Sequence, residues 1–164
     1  MIDRGEASGV EGRPQMIVLH GPNLNMLGRR SAEHYGRLTL EKIHLSVTAE
    51  AGLFEWEAVC HQTNCEGEFI ELVQQYLDGD AFLVNPGAWT HYSYAVRDAL
   101  EMASGPIAEV HISDIYEREE WRRKSVLEDL VDVRIWGRGL EGYLEAVREL
   151  IRVAERRERM GRSE

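Results

Sequence analysis

Residues 16–36 read MIVLHGPNLNMLGRRSAEHYG, and this stretch sets both the fold class and the place where chemistry is expected. Its opening, Met16–Leu19, is apolar without alternation, the pattern of a short strand buried on both faces of a parallel sheet. Gly21-Pro22 ends the strand. Asn23 then stands at the strand's carboxyl end, where open α/β sheets gather their ligands. Gly28 supplies a hinge for the segment that follows. Beyond it come Arg29, Arg30 and Tyr35, so a guanidinium meets a phenol if the segment folds over a site. A phenol with a pKa of about 10 is mostly protonated at neutral pH, and a fixed cation beside it favours the phenolate, a usable general base. Taken alone, the stretch reads equally well as a polar surface loop that happens to carry a tyrosine.

Working outward, the spacing predicts strands and helices in alternation. Thr39 caps a helix with apolar positions Leu40, Ile43, Leu45, Val47 and Ala51, ending near Gly52. Phe54–Gln62 is the second strand. From Glu66 a helix carries Phe69, Ile70, Leu72, Val73 and Leu77 on one stripe, with Gly79 as its stop. Ala81–Val84 is the third strand, closed by Asn85-Pro86-Gly87-Ala88. A helix opened by Thr90 or His91 runs to Gly105. Pro106–Ile112 is the fourth strand, interrupted by Glu109 and His111, whose side chains alternation places on one face. Arg118–Lys124 is a short charged helix, Val131–Trp136 the fifth strand and Leu140–Glu158 the final helix. Residues 1–15 lack periodicity and are expected to form a disordered leader, with 159–164 a disordered tail. One domain, 16–158, remains: a doubly wound α/β sandwich around a five-stranded parallel sheet.

Composition narrows the function. The longest apolar runs fall well short of the ~18 residues that span a bilayer, and the first 15 residues lack a signal peptide's apolar core. Cys60 and Cys65 form no CxxC pair and are expected to be free thiols in a reducing, cytoplasmic compartment. A net charge of −10 argues against nonspecific nucleic-acid or acidic-membrane binding. A small anionic substrate fits only if arginines gather locally, and they do, at Arg29-Arg30 and at Arg118, Arg122 and Arg123.

Three strands end in polar groups: the first in Asn23, the third in Asn85 and His91, the fourth in Glu109, His111 and Ser113. In a flavodoxin-like order 2-1-3-4-5, strands one and three flank the switch point with strand four alongside, so these groups converge on one crevice. Singly, His111 reads as a satisfied core histidine and Asn85-Pro86-Gly87 as a turn; their coincidence at one sheet edge points to a site. Two other patterns point elsewhere. Gly137-Arg138-Gly139-Leu140-Glu141-Gly142 matches GxGxxG, but no strand follows to carry a ribose-binding acid, so a close backbone turn is expected. Six histidines suggest zinc, yet no HxH or HExxH spacing occurs, and no metal is expected.

At GPNLNMLGRR…YG, QTNCEG, NPGAWTHYSYAVRDA and EVHISDIYEREEWRRKS the chain resembles the type II 3-dehydroquinate dehydratases, from about Met16 to Leu150. The resemblance implies a flavodoxin-like three-layer fold and a dodecamer built as a tetramer of trimers. It implies reversible dehydration of 3-dehydroquinate to 3-dehydroshikimate in the shikimate or quinate pathway, with no cofactor, metal or lysine imine. By motif, Tyr35 is similar to the family's base and Arg30 to the arginine that makes its phenolate accessible. Asn23 would hold the water that stabilises the enolate, and His111, oriented by Glu109, would protonate the departing hydroxyl. Asn85, His91 and Arg122 resemble the groups that hold ring hydroxyls and carboxylate, with Ile112 and Ser113 offering backbone amides. Asp98 resembles an acid that reaches a neighbouring subunit's site.

The chain departs from the pattern in places. Ser31-Ala32 replaces the usual Glu-Pro after the lid arginine, implying a looser lid. Asp114 stands where asparagine is usual and is expected to add negative charge beside the carboxylate pocket. Tyr116 and Trp121 replace a histidine and a phenylalanine. Two other function classes compete. One is a non-catalytic or altered-specificity paralogue binding a related ring acid, against which Tyr35, Arg30 and His111 stand together. The other is a flavin-binding or phosphoacceptor module, against which stand the lack of a Ser/Thr-rich phosphate cradle and of paired acids after the first strand.

Overall fold

The computed structural model describes residues 12–29 and 38–161. Among them β1 (Gln15–His20), α1 (Leu40–Gly52), β2 (Glu57–Gln62), α2 (Glu66–Gln75), β3 (Ala81–Asn85), α3 (Tyr94–Glu101), β4 (Ile107–His111), β5 (Val133–Trp136) and α4 (Gly139–Gly161) follow in chain order. All strand pairs are parallel and the sheet order is β2-β1-β3-β4-β5, the expected flavodoxin-like arrangement.

Alternation along the central strands builds the three layers. Met16 and Val18 face α1 and α4, packing with Ile43, Val47, Ala146 and Val147, while Ile17 and Leu19 face α2 and α3 with Phe69, Val73, Val96 and Leu100. Each of these side chains is at most 1% exposed, so each one larger than alanine contributes about 1.5–3 kcal/mol of burial, offset by ordering entropy. Register then levels the carboxyl ends. His20 pairs with Gln62 on one side and Asn85 on the other; Val84 pairs with Glu109, and Glu109 with Arg134.

Several expected boundaries move, each for a local reason. β1 takes in Gln15, whose backbone N–H donates to Asp80 Oδ2 at 2.7 Å. β2 begins only at Glu57, because Leu53–Trp56 turn back on α1 through backbone bonds to Ala49, Ala51 and Gly52 and through a left-handed Glu55 (φ 63°). Residues Gly87–His91 form a 3₁₀ turn, and α3 starts later under a cap the sequence reading passed over: Ser93 Oγ accepts from Val96 N–H at 3.0 Å. The expected helix 118–124 is replaced by two single 3₁₀ turns, Ile115–Glu117 and Glu120–Arg122. β5 begins at Val133, and Asp132 just before it caps β4, its Oδ2 accepting Ile107 N–H at 2.9 Å. Leu45 points away from the core at 66% exposure, and the buried stripe of α1 is Ile43, Val47 and Ala51.

α4 continues past Glu158 to Gly161, so part of the expected tail is helical. Most of the expected leader, residues 1–11, lies outside the described residues, as do 162–164. The GxGxxG stretch is the close turn anticipated: Gly137 has φ +74°, and a Cβ on Gly142 would lie 3.2 Å from Ile135 Cγ2, where α4 packs on β5.

Candidate active site

The carboxyl ends of β1, β3 and β4 open onto one cleft. Asn23 borders it from the first, Asn85 and His91 from the third, and His111, Ile112 and Ser113 from the fourth; Arg122 and Arg118 close it from the turns beyond. The walls meet because the loops after β1 and β3 touch. Gly21 N–H donates to Asn85 O at 2.8 Å, and a Cβ on Gly21 would sit 2.2 Å from the Pro86 carbonyl oxygen, so only glycine fits there. Asn23 takes the left-handed conformation (φ 66°), and its backbone N–H donates to Asn64 Oδ1 at 2.8 Å.

The wall from β4 carries a buried acid–imidazole pair. Glu109 and His111 are two residues apart on the strand and so share a face. His111 Nε2 donates to Glu109 Oε1 at 2.8 Å, with the carboxylate 1% exposed. Two hydroxyls complete Glu109: Thr90 Oγ1 donates to Oε1 at 2.6 Å, and Ser125 Oγ, 3.0 and 2.9 Å from Oε1 and Oε2, offers its one proton to the pair. Burial opposes the charged form, but the bond and charge of His111 together with Thr90 and Ser125 outweigh it and hold the Glu109 carboxyl at about 2. A carboxylate fixed on Nε2 leaves Nδ1 as the imidazole nitrogen with which the ring, at the cleft wall, can take up or deliver a proton.

Opposite this pair, His91 Nδ1 lies 2.7 Å from Lys124 O, with its ring stacked 6.4 Å from that of His111 and edge-on to Trp121 at 5.2 Å. Burial, with smaller contributions from His111 and Arg122, lowers its pKa and favours the neutral ring. Arg122 donates from Nε to Glu119 Oε2 at 2.9 Å and lies 4.0 Å over the Trp121 ring, which fixes its fork at the cleft mouth. Asn85 is 3% exposed; its Nδ2 donates to Tyr143 OH at 2.8 Å and its Oδ1 accepts from Gly87 N–H at 3.2 Å. Arg118 and Arg122 at the mouth, with Ile112, Ser113 and the His111 imidazole in the wall, make a cleft that suits a small anionic molecule.

Seven of the expected site residues therefore meet at the cleft, with Glu109 directly behind. Tyr35, Arg30 and the Ser31-Ala32 departure lie outside the described residues. Asp98 is exposed on α3 and does not border this cleft. Asp114 stands between the cleft-lining Ser113 and Ile115, and its Oδ1 caps a 3₁₀ turn, accepting from Tyr116 N–H at 2.8 Å. Thr90, Ser125, Tyr143 and Asn64 went unassigned in the sequence. Thr90 sits in the stretch quoted above, but nothing in its spacing says that it bonds a residue 19 positions away.

The geometry agrees with the comparisons. The family model described as "Dehydroquinase class II" matches residues 14–151. The 3-dehydroquinate dehydratase of Pelotomaculum thermopropionicum is 46% identical over 135 residues, 82% of this chain and 94% of that protein. The crystal structure of type II dehydroquinase from Butyrivibrio crossotus superposes with a TM-score of 0.81 at 40% identity, covering 84% of this chain and 97% of that one. The type II dehydroquinase from Propionibacterium acnes gives a TM-score of 0.79 at 37% identity, covering 83% and 94%.

Proposed function

The chain belongs to the class II dehydroquinase family, and from that premise we propose that it is a hydro-lyase that reversibly dehydrates 3-dehydroquinate to 3-dehydroshikimate by anti elimination through an enolate. The observation that carries this reading is the buried Glu109–His111 pair, set in the wall of a cleft with hydrogen-bonding groups from three strands.

In this reaction Tyr35, its phenolate favoured by Arg30, removes a proton alpha to the ketone, and Asn23 holds the water that stabilises the enolate. His111 then protonates the departing hydroxyl from Nδ1. Glu109 holds Nε2–H and stabilises the imidazolium before transfer, so the acid is poised without solvent reorganisation. Asn85, His91 and Arg122 hold the ring hydroxyls and carboxylate, and the amides of Ile112 and Ser113 serve the carboxylate. No metal, imine or cofactor takes part. The step serves the shikimate or quinate pathway in the cytoplasm.

The same reading makes the enzyme a homo-oligomer, a dodecamer built as a tetramer of trimers, with Asp98 reaching a neighbouring subunit's cleft. Its support is the exposure of Asp98 beside Tyr92, Tyr94 and Met102, which are 59%, 63% and 51% exposed. Mixing inactive Tyr35→Phe subunits with inactive Asp98→Ala subunits should restore part of the activity; mixed oligomers no more active than either parent argue for sites built from one chain.

The test of the function itself is direct. Purified protein given 3-dehydroquinate should generate the ultraviolet absorbance of the conjugated enone, with activity intact after borohydride and substrate, or after a strong chelator. Folded oligomer that produces no enone at millimolar substrate sinks the proposal.

A further inference from the structure

Directly beside Glu109 in the sheet, one position across on β5, stands Arg134. Its Nε lies 3.4 Å from Glu109 Oε2, the carboxylate oxygen that His111 does not engage. That Nε is enclosed and makes no well-aligned hydrogen bond, so the contact is charge against charge. The rest of the guanidinium is held from outside: Nη1 donates to Glu128 Oε1 at 2.7 Å, Nη2 lies 3.5 Å from Tyr116 OH, and the Trp136 ring lies 5.3 Å away. Arg134 is not among the described residues that line the cleft, and Glu109 connects it to His111.

We propose that Arg134 is a positioning residue for the Glu109–His111 pair: a fixed cation that holds the carboxylate in place and limits how firmly His111 keeps its proton. The proposal rests on the reading of His111 as the acid. Glu109 is enclosed by Thr90, Ser125, His111 and Arg134, so Arg134 is the fixed cation against the carboxylate and His111 the group across it that can gain or lose a proton. With Arg134 absent, the whole of that charge falls on His111. The imidazolium is then favoured and becomes a weaker acid. His91 faces His111 from the cleft side with Arg122 beside His91, and Glu128 and Tyr116 face Arg134 from outside; these other charged or titratable neighbours remain in place when Arg134 is changed.

The test compares Arg134→Gln, Arg134→Lys and Glu128→Gln by two readouts. Without substrate, the His111 ring is titrated by NMR. In Arg134→Gln its midpoint should move up by about one pH unit; in Arg134→Lys, which keeps the charge, it should stay near wild type. Glu128→Gln removes an anion from the far end of Arg134, so its midpoint should move down by a few tenths of a unit. With 3-dehydroquinate, Arg134→Gln should lower kcat by about tenfold with KM within about twofold, and the alkaline limb of the kcat profile should move to higher pH. A merely structural arginine would alter the thermal melt and leave both pH readouts in place. Folded Arg134→Gln with an unmoved His111 midpoint overturns the proposal. Should that variant not fold, an unmoved midpoint in Glu128→Gln overturns it. Failure of the wild-type chain to form the enone defeats the assigned reaction instead, while the substrate-free titration still decides the role of Arg134.

Discussion

Two buried histidines end strands of the same sheet, and their surroundings differ in one respect that decides what each can do. His111, 7% exposed at the end of β4, donates to the Glu109 carboxylate. His20, fully buried at the end of β1, meets no carboxylate among the described residues: His44 Nε2 lies 3.2 Å from its Nδ1, His61 O lies 3.4 Å away, and the Tyr143 ring stacks at 5.6 Å. Its own Nε2 is enclosed without a hydrogen-bond partner among the described residues. Burial, reinforced by His44, pushes its pKa down to about 3, so it stays neutral near pH 7. Burial is common to both rings. The difference is the Glu109 carboxylate fixed against one of them.

The comparison breaks first on activity. His111→Ala should lower kcat about 10³-fold, within the range for a lost general acid, whereas His20→Phe should stay within about threefold of wild type. Steady-state enone formation measures both, and a larger loss at His20 would reverse the assignment. Next, Glu109→Gln should cost about 10²-fold in kcat with KM little changed, because orientation and charge are lost while the cleft lining stays. A variant near wild type would mean that His111 needs no carboxylate.

Acid stability separates the two regions in the opposite sense. His20 has a folded pKa of about 3 against an ordinary 6.5, so the unfolded chain binds the proton first and stability falls as pH drops from 6.5 toward 3. Glu109, at about 2 against 4.5, contributes stability above pH 4.5 that is lost between 4.5 and 2. His20→Phe should therefore remove up to about 1.4 kcal/mol of stability loss per pH unit between roughly pH 6.5 and 4.5. Urea unfolding at pH 7 and pH 5 measures the slope, and an unchanged slope would place the acid sensitivity elsewhere.

The smallest effect is expected at the junction of the two regions. Tyr143 stacks on His20 and accepts from Asn85 at 2.8 Å. Tyr143→Phe should keep the stack and cost about 1 kcal/mol through the lost bond, with a KM rise of a few fold as Asn85 loosens at the cleft. Thermal melts and KM together test this, and a KM unchanged beside a lowered melt would free Asn85 from dependence on Tyr143.

By itself the sequence determined what acts over a few residues. Unbroken apolar runs such as Met16–Leu19 marked buried parallel strands, and helical stripes between them implied the doubly wound sheet. The i, i+2 spacing of Glu109 and His111 placed both side chains on one face. Tertiary structure decided which distant groups meet. The cap moved to Ser93 because the preceding residues were drawn into a 3₁₀ turn, and Asp114 came to cap the turn at Tyr116 N–H. Thr90 and Ser125 closed around Glu109, and register set Arg134 beside it. The histidines at 20 and 111 both end strands, and Glu109, two residues before His111, already sets them apart in sequence. Whether that carboxylate stays charged is decided where separate segments pack around it, because the free energy of a buried charge depends on partners that local rules of spacing cannot select.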